Sequence, residues 1–407
     1  MEHVKYLIIG GGAAGLTFAC KLKQKGETSF LLLEKENTAG GLCRSVEVDG
    51  SPFDIGGGHF LDVRRPKVTQ FLFHFMPEEE WNYFDRDSRI RVRGMEINHP
   101  FEANIWQMGI PDQLSYLSSI AHAGCNRREE KPDRFIDWIE WKLGKKVAND
   151  YMLPYNRKMF ADELNDLGTY WLEKLPNVSF RETFLSCLMH KPYGTQPGHA
   201  SFYYPKKYGY GEVWKRIAAY LESNIKYNTS IVRLDCENRV VVTRDEEKIQ
   251  ADYIITTIPW QEYEQIDGMP QEIRDSIKKL KSSAVETRYV SENLNTKAQW
   301  IYFPDERIPY HRILVRHNFC AESKGYWLET RKERVYMFSP EESDTFHYLN
   351  EYAYPLNTLE KPTIMKNLLS YCAEKNIYGL GRWGEHSHYN SDLTVELAIN
   401  LVEKLYE

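Results

Sequence analysis

Three glycines near the start of the chain have the spacing that holds a phosphate. Gly10, Gly12 and Gly15 satisfy G-x-G-x-x-G within "VKYLIIGGGAAGLTFACKLKQKGETSFLLLEKE". Gly10 permits a tight turn, Gly12 lets the backbone come up to a pyrophosphate, and Gly15 lets a helix pack closely on the strand before it. The N–H groups that open this helix, at and beyond Ala14, and the positive end of its dipole favour an anion. Glu34, followed by Lys35, lies nineteen residues after Gly15, where a carboxylate accepts hydrogen bonds from ribose hydroxyls. The chemistry of this set is dinucleotide binding. A second glycine run, in "FDIGGGHFLDVRR", ends at His59. It reads either as a loop joining a hairpin to the next element, with His59 exposed, or as backbone that must approach a ligand closely.

The elements needed to position these residues are visible in the pattern. Tyr6–Ile9 is an apolar run expected as a buried parallel strand, Leu16–Leu22 has helical apolar spacing, and Phe30–Leu33 is a second strand ending at Glu34. Far downstream, Ser230–Pro259 reads as a hairpin followed by a strand that ends at Thr256 and Thr257. The stretch from "DQLSYLSSIAHAG" through "RFIDWIEWKLGKKVANDYM" has helical spacing, while "VETRYVSENLN", "QWIYFP", "HRILVRHNF" and "RVYMFS" read as short antiparallel strands. A last helix is expected from near Asp392, with Leu393 in its first turn.

Composition bounds the rest. At 407 residues, 42% hydrophobic and 27% charged, the chain can bury a sizeable core in two or three domains. A net charge of -6 without a long Lys or Arg run gives no electrostatic footprint for nucleic acid or an anionic membrane. The seven cysteines are scattered and lack C-x-x-C spacing, so neither a disulfide framework nor a metal site is expected, and a reducing cytoplasm fits. The N-terminal apolar segment is broken by glycines and no apolar run approaches about eighteen residues, so neither a signal peptide nor a membrane span is expected.

The residues after Glu34 separate one dinucleotide from another. "NTAGGLCRSVEVDGSPFDIGG", with Gly41, Leu42 and Arg44, resembles the second glycine motif of the amine oxidase and protoporphyrinogen oxidase superfamily. There the stretch passes along a flavin's pyrophosphate and ring, so the resemblance implies FAD. It also implies that the downstream hairpin, around Val232, covers the adenine. Gly57 and Gly58 would then bring backbone to the flavin's N5 edge with His59 at the ring, and the helix at Asp392 and Leu393 would point its N-terminus at the N1–C2 edge.

Further stretches resemble UDP-galactopyranose mutase, particularly the eukaryotic type, and run in family order across nearly the whole chain. They are "FDIGGGHFL", "INHPFEANIWQM", "DRFIDWIEWKLGKKVANDYMLPYNRKMFA", "SFYYPKKYGYGEVWKRIA", "QWIYFPDERIPYHR", Tyr354-Pro355 and "GLGRWGEHSHYNSDLTVELA". In that family the reduced flavin N5 attacks the anomeric carbon, the diphosphate leaves, and the sugar recloses as a furanose before the diphosphate returns, with no net redox change. The resemblance thus implies pyranose/furanose isomerisation of a nucleotide-diphosphate sugar such as UDP-galactose, in cell-surface glycan (lipopolysaccharide) biosynthesis. An external reductant for the flavin is expected, and the oligomeric state is left open. By position in the motifs, Arg312 and Arg382 match the diphosphate arginines, Gly381 and Arg382 lie against the flavin, and Tyr354 matches a diphosphate-contacting tyrosine. His59, Arg312 and Arg382 are the expected catalytic residues. Trp300, Tyr302, Asn177, Phe101 and Tyr155 match substrate-pocket positions.

Departures from the pattern fall on the same contacts. Leu153 stands where the eukaryotic mutases have an arginine, with Arg157 four residues on. His99 and Glu102 stand where the family has a uracil-stacking tyrosine and a uracil-bonding glutamine, and an ionised glutamate can only accept hydrogen bonds. His388 and Asn390 replace a Tyr-x-Asp pattern. An FAD-dependent oxidoreductase, passing hydride from a small substrate to flavin, is therefore the alternative function, and a flavoprotein that only binds a partner is a third. The expected fold is α/β + α. A discontinuous Rossmann-like FAD-binding domain takes residues 1–90, 203–265 and 365–407, a helical insert 91–202, and an antiparallel β-sheet substrate domain 266–364.

Overall fold

The structure is a computed structural model and describes residues 1–172, 178–193, 200–339 and 345–406. Its first strand, Glu2–Ile9, lies in the middle of an eight-stranded sheet, parallel to Phe30–Leu33 on one side and to Lys248–Thr256 on the other. Tyr6 and Ile8 face a core shared with Leu16, Phe18 and Leu22 of the helix Ala13–Gln24 and with Val395 and Val402 of the helix Ser391–Tyr406. Leu7 and Ile9 face a second core with Trp260 and with Leu368 and Cys372 of the helix Lys361–Glu374. Both faces are covered, which is why the strand reads as a continuous apolar run. Full burial of each such side chain contributes roughly 1.5–3 kcal/mol.

The expected hairpin is Ile231–Asp235 against Val240–Thr243, and Val240–Val242 pairs onward with Lys248–Gln250. The strand Lys248–Thr256 then runs alongside Glu2–Ile9, with Ile9 opposite Thr256, and also takes Ile377–Gly379 as a parallel neighbour. These ends converge on the glycine fingerprint, where carboxyl ends of parallel strands make a crevice.

A second, seven-stranded sheet runs His347–Pro355, Ser282–Val290, Tyr326–Arg331, Arg312–Leu314, Trp300–Tyr302, Ser88–Val92 and Met95–Asn98. It differs from the sequence expectation in three respects. The hairpin Ser88–Asn98 joins it, so the boundary expected at residue 90 cuts through a paired element. Trp300–Tyr302 pairs with Ser88–Val92 in parallel, so the sheet is not wholly antiparallel. "RVYMFS" forms no strand: Lys332–Met337 is a 3-10 turn, its apolar residues are consecutive rather than alternating, and Tyr336 is 83% exposed. The helices Ile110–Ala121, Phe135–Val147, Leu153–Met159 and Phe180–Met189 lie in sequence between the strands Met95–Asn98 and Ser201–Pro205. Among the described residues no helix is long and apolar enough to cross a membrane, and no group of three or more His, Cys, Asp and Glu gathers around a metal-sized site.

Candidate active site

Two glycine loops meet at the crevice. Gly12 and Gly40 form a parallel bridge, and the Gly40 N–H donates to the Gly11 carbonyl at 2.7 Å. A Cβ on Gly15 would collide with the Gly10 carbonyl oxygen, so the helix can approach its strand this closely only with glycine there. The helix Ala13–Gln24 has Gly12 at its N-cap, no capping side chain and no acid in its first turn, leaving its opening N–H groups for an anion. Glu34 is buried. One of its oxygens accepts from the Gly11 N–H at 2.7 Å and the other from the Glu36 N–H at 2.9 Å, and burial raises its pKa in spite of these bonds.

A cavity of about 560 Å³ results from this arrangement, walled by Gly10, Gly12, Ala14, Glu34, Lys35, Gly41, Leu42 and Arg44, and farther along by His59, Arg382, Ser391 and Thr394. Arg44 is held by its Nε on the Gly41 carbonyl at 3.1 Å and by Nη2 on the Tyr348 hydroxyl at 2.8 Å. Ser230 and Ile231 form the wall near the hairpin, and Val232 is not part of it. Gly381 and Leu393 also stay behind the wall. Gly381 packs on Ala14, and Leu393 sits between the wall residue Thr394 and Asp392, whose carboxylate accepts from Arg65 at 2.7 Å.

The second glycine run lies where this cavity meets another of about 170 Å³, walled by Gly56, Gly58, His59, Trp300, Arg312, Tyr354, Arg382 and Asp392. Gly57 has φ +81 and turns the chain so that the Gly58 N–H donates to a Glu329 carboxylate oxygen at 3.3 Å. A Cβ at Gly57 would collide with that same carboxylate. His59 is not an exposed loop residue. Burial first, then the Arg382 charge, hold its pKa down at about 4, so its ring is neutral. Its Nδ1 lies 3.1 Å from the Gly57 carbonyl oxygen. Because a carbonyl only accepts, Nδ1 carries the hydrogen and Nε2 keeps its lone pair.

Arg312 and Glu329 form the electrostatic centre. The Arg312 Nε donates to Glu329 at 3.0 Å, Nη2 donates to the same carboxylate oxygen, and Nη2 also lies 3.4 Å from the Tyr354 hydroxyl. Burial pushes the Glu329 carboxyl upward, but Arg312 and the adjacent His311 outweigh it and hold the pKa at about 2. Arg382 is half-buried, and desolvation of its guanidinium lowers its pKa. Its Nε and Nη2 donate to the Tyr389 carbonyl at 3.1 and 2.9 Å, and Nη1 donates to the Ala353 carbonyl at 3.0 Å. It walls both cavities.

Beyond Arg312 opens a third cavity, of about 490 Å³, walled by His99, Phe101, Glu102, Tyr155 and Tyr302. It shares Arg312, His388 and Asn390 with the cavity of about 170 Å³. Trp300 and Tyr302 occupy alternate positions of one short strand, one walling each cavity. Burial and the Arg86 charge hold the His99 pKa down at about 3, and burial lifts that of Glu102 to about 7. Arg157 is not in the wall, Leu153 is buried in a neighbouring core, and Asn177 lies outside the described residues.

Two residues at the site have no counterpart among the sequence expectations. Glu329 lies in "ETRKER", which looks like a solvated charged face, and its partner Arg312 is seventeen residues away on the neighbouring strand. Arg86 walls the cavity of about 170 Å³, with its guanidinium 4.4 Å from the Trp300 ring centroid, Nε on the Ser88 hydroxyl at 2.7 Å and Nη2 on the Tyr302 hydroxyl at 2.7 Å. Only an arginine in a stretch already rich in arginine, "RDSRIRVRG", marked it.

Residues 13–290 match the family described as flavin containing amine oxidoreductase. The chain belongs to this family. FAD is accordingly its cofactor, and the residues present fit one: the uncapped helix end and abutting glycine loops suit the pyrophosphate, and the long cavity reaches the Gly56–His59 loop. This amine oxidoreductase-family chain shares the fold of a reduced UDP-galactopyranose mutase crystal structure, with a TM-score of 0.89 and 22% identity over 99% of this chain and 94% of the other. A CLA-producing fatty acid isomerase from P. acnes superposes with a TM-score of 0.66 and 14% identity, over 99% of both chains. In sequence, 78 residues are 37% identical to a carotenoid 3,4-desaturase of Haloarcula japonica. That match covers 19% of this chain and 15% of the desaturase's own length.

Proposed function

We propose that the protein is a flavin-dependent isomerase that interconverts pyranose and furanose forms of a nucleotide-diphosphate sugar. The observation that carries this reading is the half-buried Arg312, paired with the buried Glu329 and within reach of Tyr354, at the edge of the cavity walled by the Gly56–His59 loop. A diphosphate that leaves and returns needs a fixed guanidinium fork, whereas an amine substrate gains nothing from a cation there. When bound, reduced FAD supplies an electron pair at N5 to the sugar's anomeric carbon. Arg312 and Tyr354 hold diphosphate oxygens, Arg382 braces the junction of the two cavities, and Arg86 and Trp300 confine the sugar. Glu34 takes the ribose hydroxyls of FAD, and the opening N–H groups of the helix at Ala13–Ala14 take its pyrophosphate.

The deciding experiment is an anaerobic assay of dithionite-reduced and oxidised protein against a panel of nucleotide-furanoses, with the pyranose followed by chromatography. Conversion by the reduced form alone is expected. Consumption of an electron acceptor with no sugar conversion would instead support hydride transfer from a small substrate, which the family description and the desaturase match favour.

Two single substitutions at the cofactor should have smaller effects. Glu34→Ala removes an acceptor whose charge-assisted bonds are worth roughly 1.5–3 kcal/mol each, so the FAD dissociation constant should rise about 10- to 100-fold in a fluorescence titration of apoprotein. His59→Ala removes one neutral hydrogen-bonding group at the ring, worth about 1–1.5 kcal/mol, and should slow turnover about tenfold with FAD retained. Normal kinetics in that variant would return His59 to a packing role.

A further inference from the structure

Resting on the mutase-type reading of the site, we propose that the nucleotide carried by the sugar is a guanosine diphosphate, selected by the Glu102 carboxylate at the end of the aromatic cavity. The cavity of about 490 Å³ begins at Arg312, so a ligand whose diphosphate is held there extends its nucleoside into it. Its walls are flat: the Phe101 and Tyr151 rings stack at 5.3 Å and 14°, and the Tyr155 and Tyr302 rings meet edge to face at 5.6 Å. An aromatic lining of this kind favours an aromatic guest. Glu102 is 6% exposed and walls this cavity together with Tyr151. Among the described residues no side chain donates a hydrogen bond to this carboxyl, and it lines the cavity, so its acceptor capacity is open to the guest.

An ionised carboxylate offers two parallel acceptors and no donor. Guanine presents two adjacent donors on one edge, N1–H and the N2 amino group, and pairs with both oxygens. Uracil and thymine present a single N3–H between two carbonyls, which a carboxylate repels. Cytosine and adenine present one amino group beside a ring-nitrogen lone pair. Only guanine fills both acceptors without opposing one of them. The cavity also has room for a purine alongside its ribose.

The test is calorimetric titration of the FAD-loaded protein with GDP, IDP, UDP, CDP and ADP at pH 8, above the value of about 7 to which burial lifts the Glu102 carboxyl. IDP keeps N1–H but lacks the amino group, so it isolates one of the two bonds. GDP should bind about tenfold or more tighter than UDP, with IDP between them, because a good bidentate pair discriminates by roughly 5- to 150-fold. Glu102→Gln, close in shape, should bring GDP to within about threefold of UDP. Binding of all five diphosphates with equal affinity, or tightest binding of UDP, would overturn the guanine assignment and leave the diphosphate reading of Arg312 standing. Retention of the GDP preference in Glu102→Gln would remove Glu102 from the recognition. Failure of every diphosphate to bind would overturn both readings.

Discussion

Arg312→Ala should lower turnover by about 10²- to 10⁴-fold while leaving FAD in place. Two charge-assisted hydrogen bonds to diphosphate oxygens are worth roughly 3–6 kcal/mol together, and each 1.4 kcal/mol is about tenfold in rate. Flavin retention is expected because Arg312 walls the cavity at the Gly56–His59 loop and the aromatic cavity but not the one that runs along the glycine fingerprint. The visible absorbance of the purified variant reads retention directly. Truncation also strands Glu329, a buried carboxylate, and removing one partner of a buried pair costs about 3–5 kcal/mol of stability. Arg312→Lys separates the two effects: it preserves a cation beside Glu329 but not the planar fork, so stability should recover more than turnover. Undiminished turnover in either variant would move the diphosphate away from this arginine.

Which parts of this arrangement were legible in the sequence depends on how local they are. The fingerprint at Gly10–Gly15 and the acid at Glu34 belong to one strand–helix–strand unit, and both sit in the cavity wall or behind it as the spacing required. Motif resemblance placed Tyr354, Arg382, Trp300 and Tyr302 around connected cavities, although no spacing rule links them. Glu329 was not legible, because its significance comes from a cross-strand neighbour and a loop 271 residues earlier. Arg86 was hidden for a related reason: the hairpin that carries Ser88–Asn98 crosses into the second sheet, and only that pairing sets Arg86 over Trp300. At Glu102 the residue type was legible but its environment was not. Burial in an aromatic cavity lifts its pKa to about 7, so its charge depends on pH near neutrality.

Glu329→Gln should remove an acid-labile part of the protein's stability. The carboxyl titrates at about 2 in the folded chain, against an ordinary glutamate near 4.3, because Arg312 and His311 outweigh the cost of burying it. A depressed carboxyl contributes stability above its unfolded pKa and loses it as pH falls through the folded value. The window therefore runs from about pH 5 down to about pH 2, and the linked free energy is about 3 kcal/mol. Glutamine keeps an acceptor for the Gly58 N–H and for Arg312 but carries no charge, so the variant should be less stable than wild type at pH 7. The two should converge as the pH approaches 2. Urea midpoints measured at unit intervals between pH 7 and 2.5 give the comparison, with a narrowing gap expected below pH 5. Parallel curves over that range would mean that Glu329 is not held ionised by Arg312. The same pairing gives the site its coupling, since one carboxylate holds both the Arg312 guanidinium and the Gly58 backbone N–H. Loss of its charge should therefore reduce turnover as well as stability, and Glu329→Gln should show both in one protein.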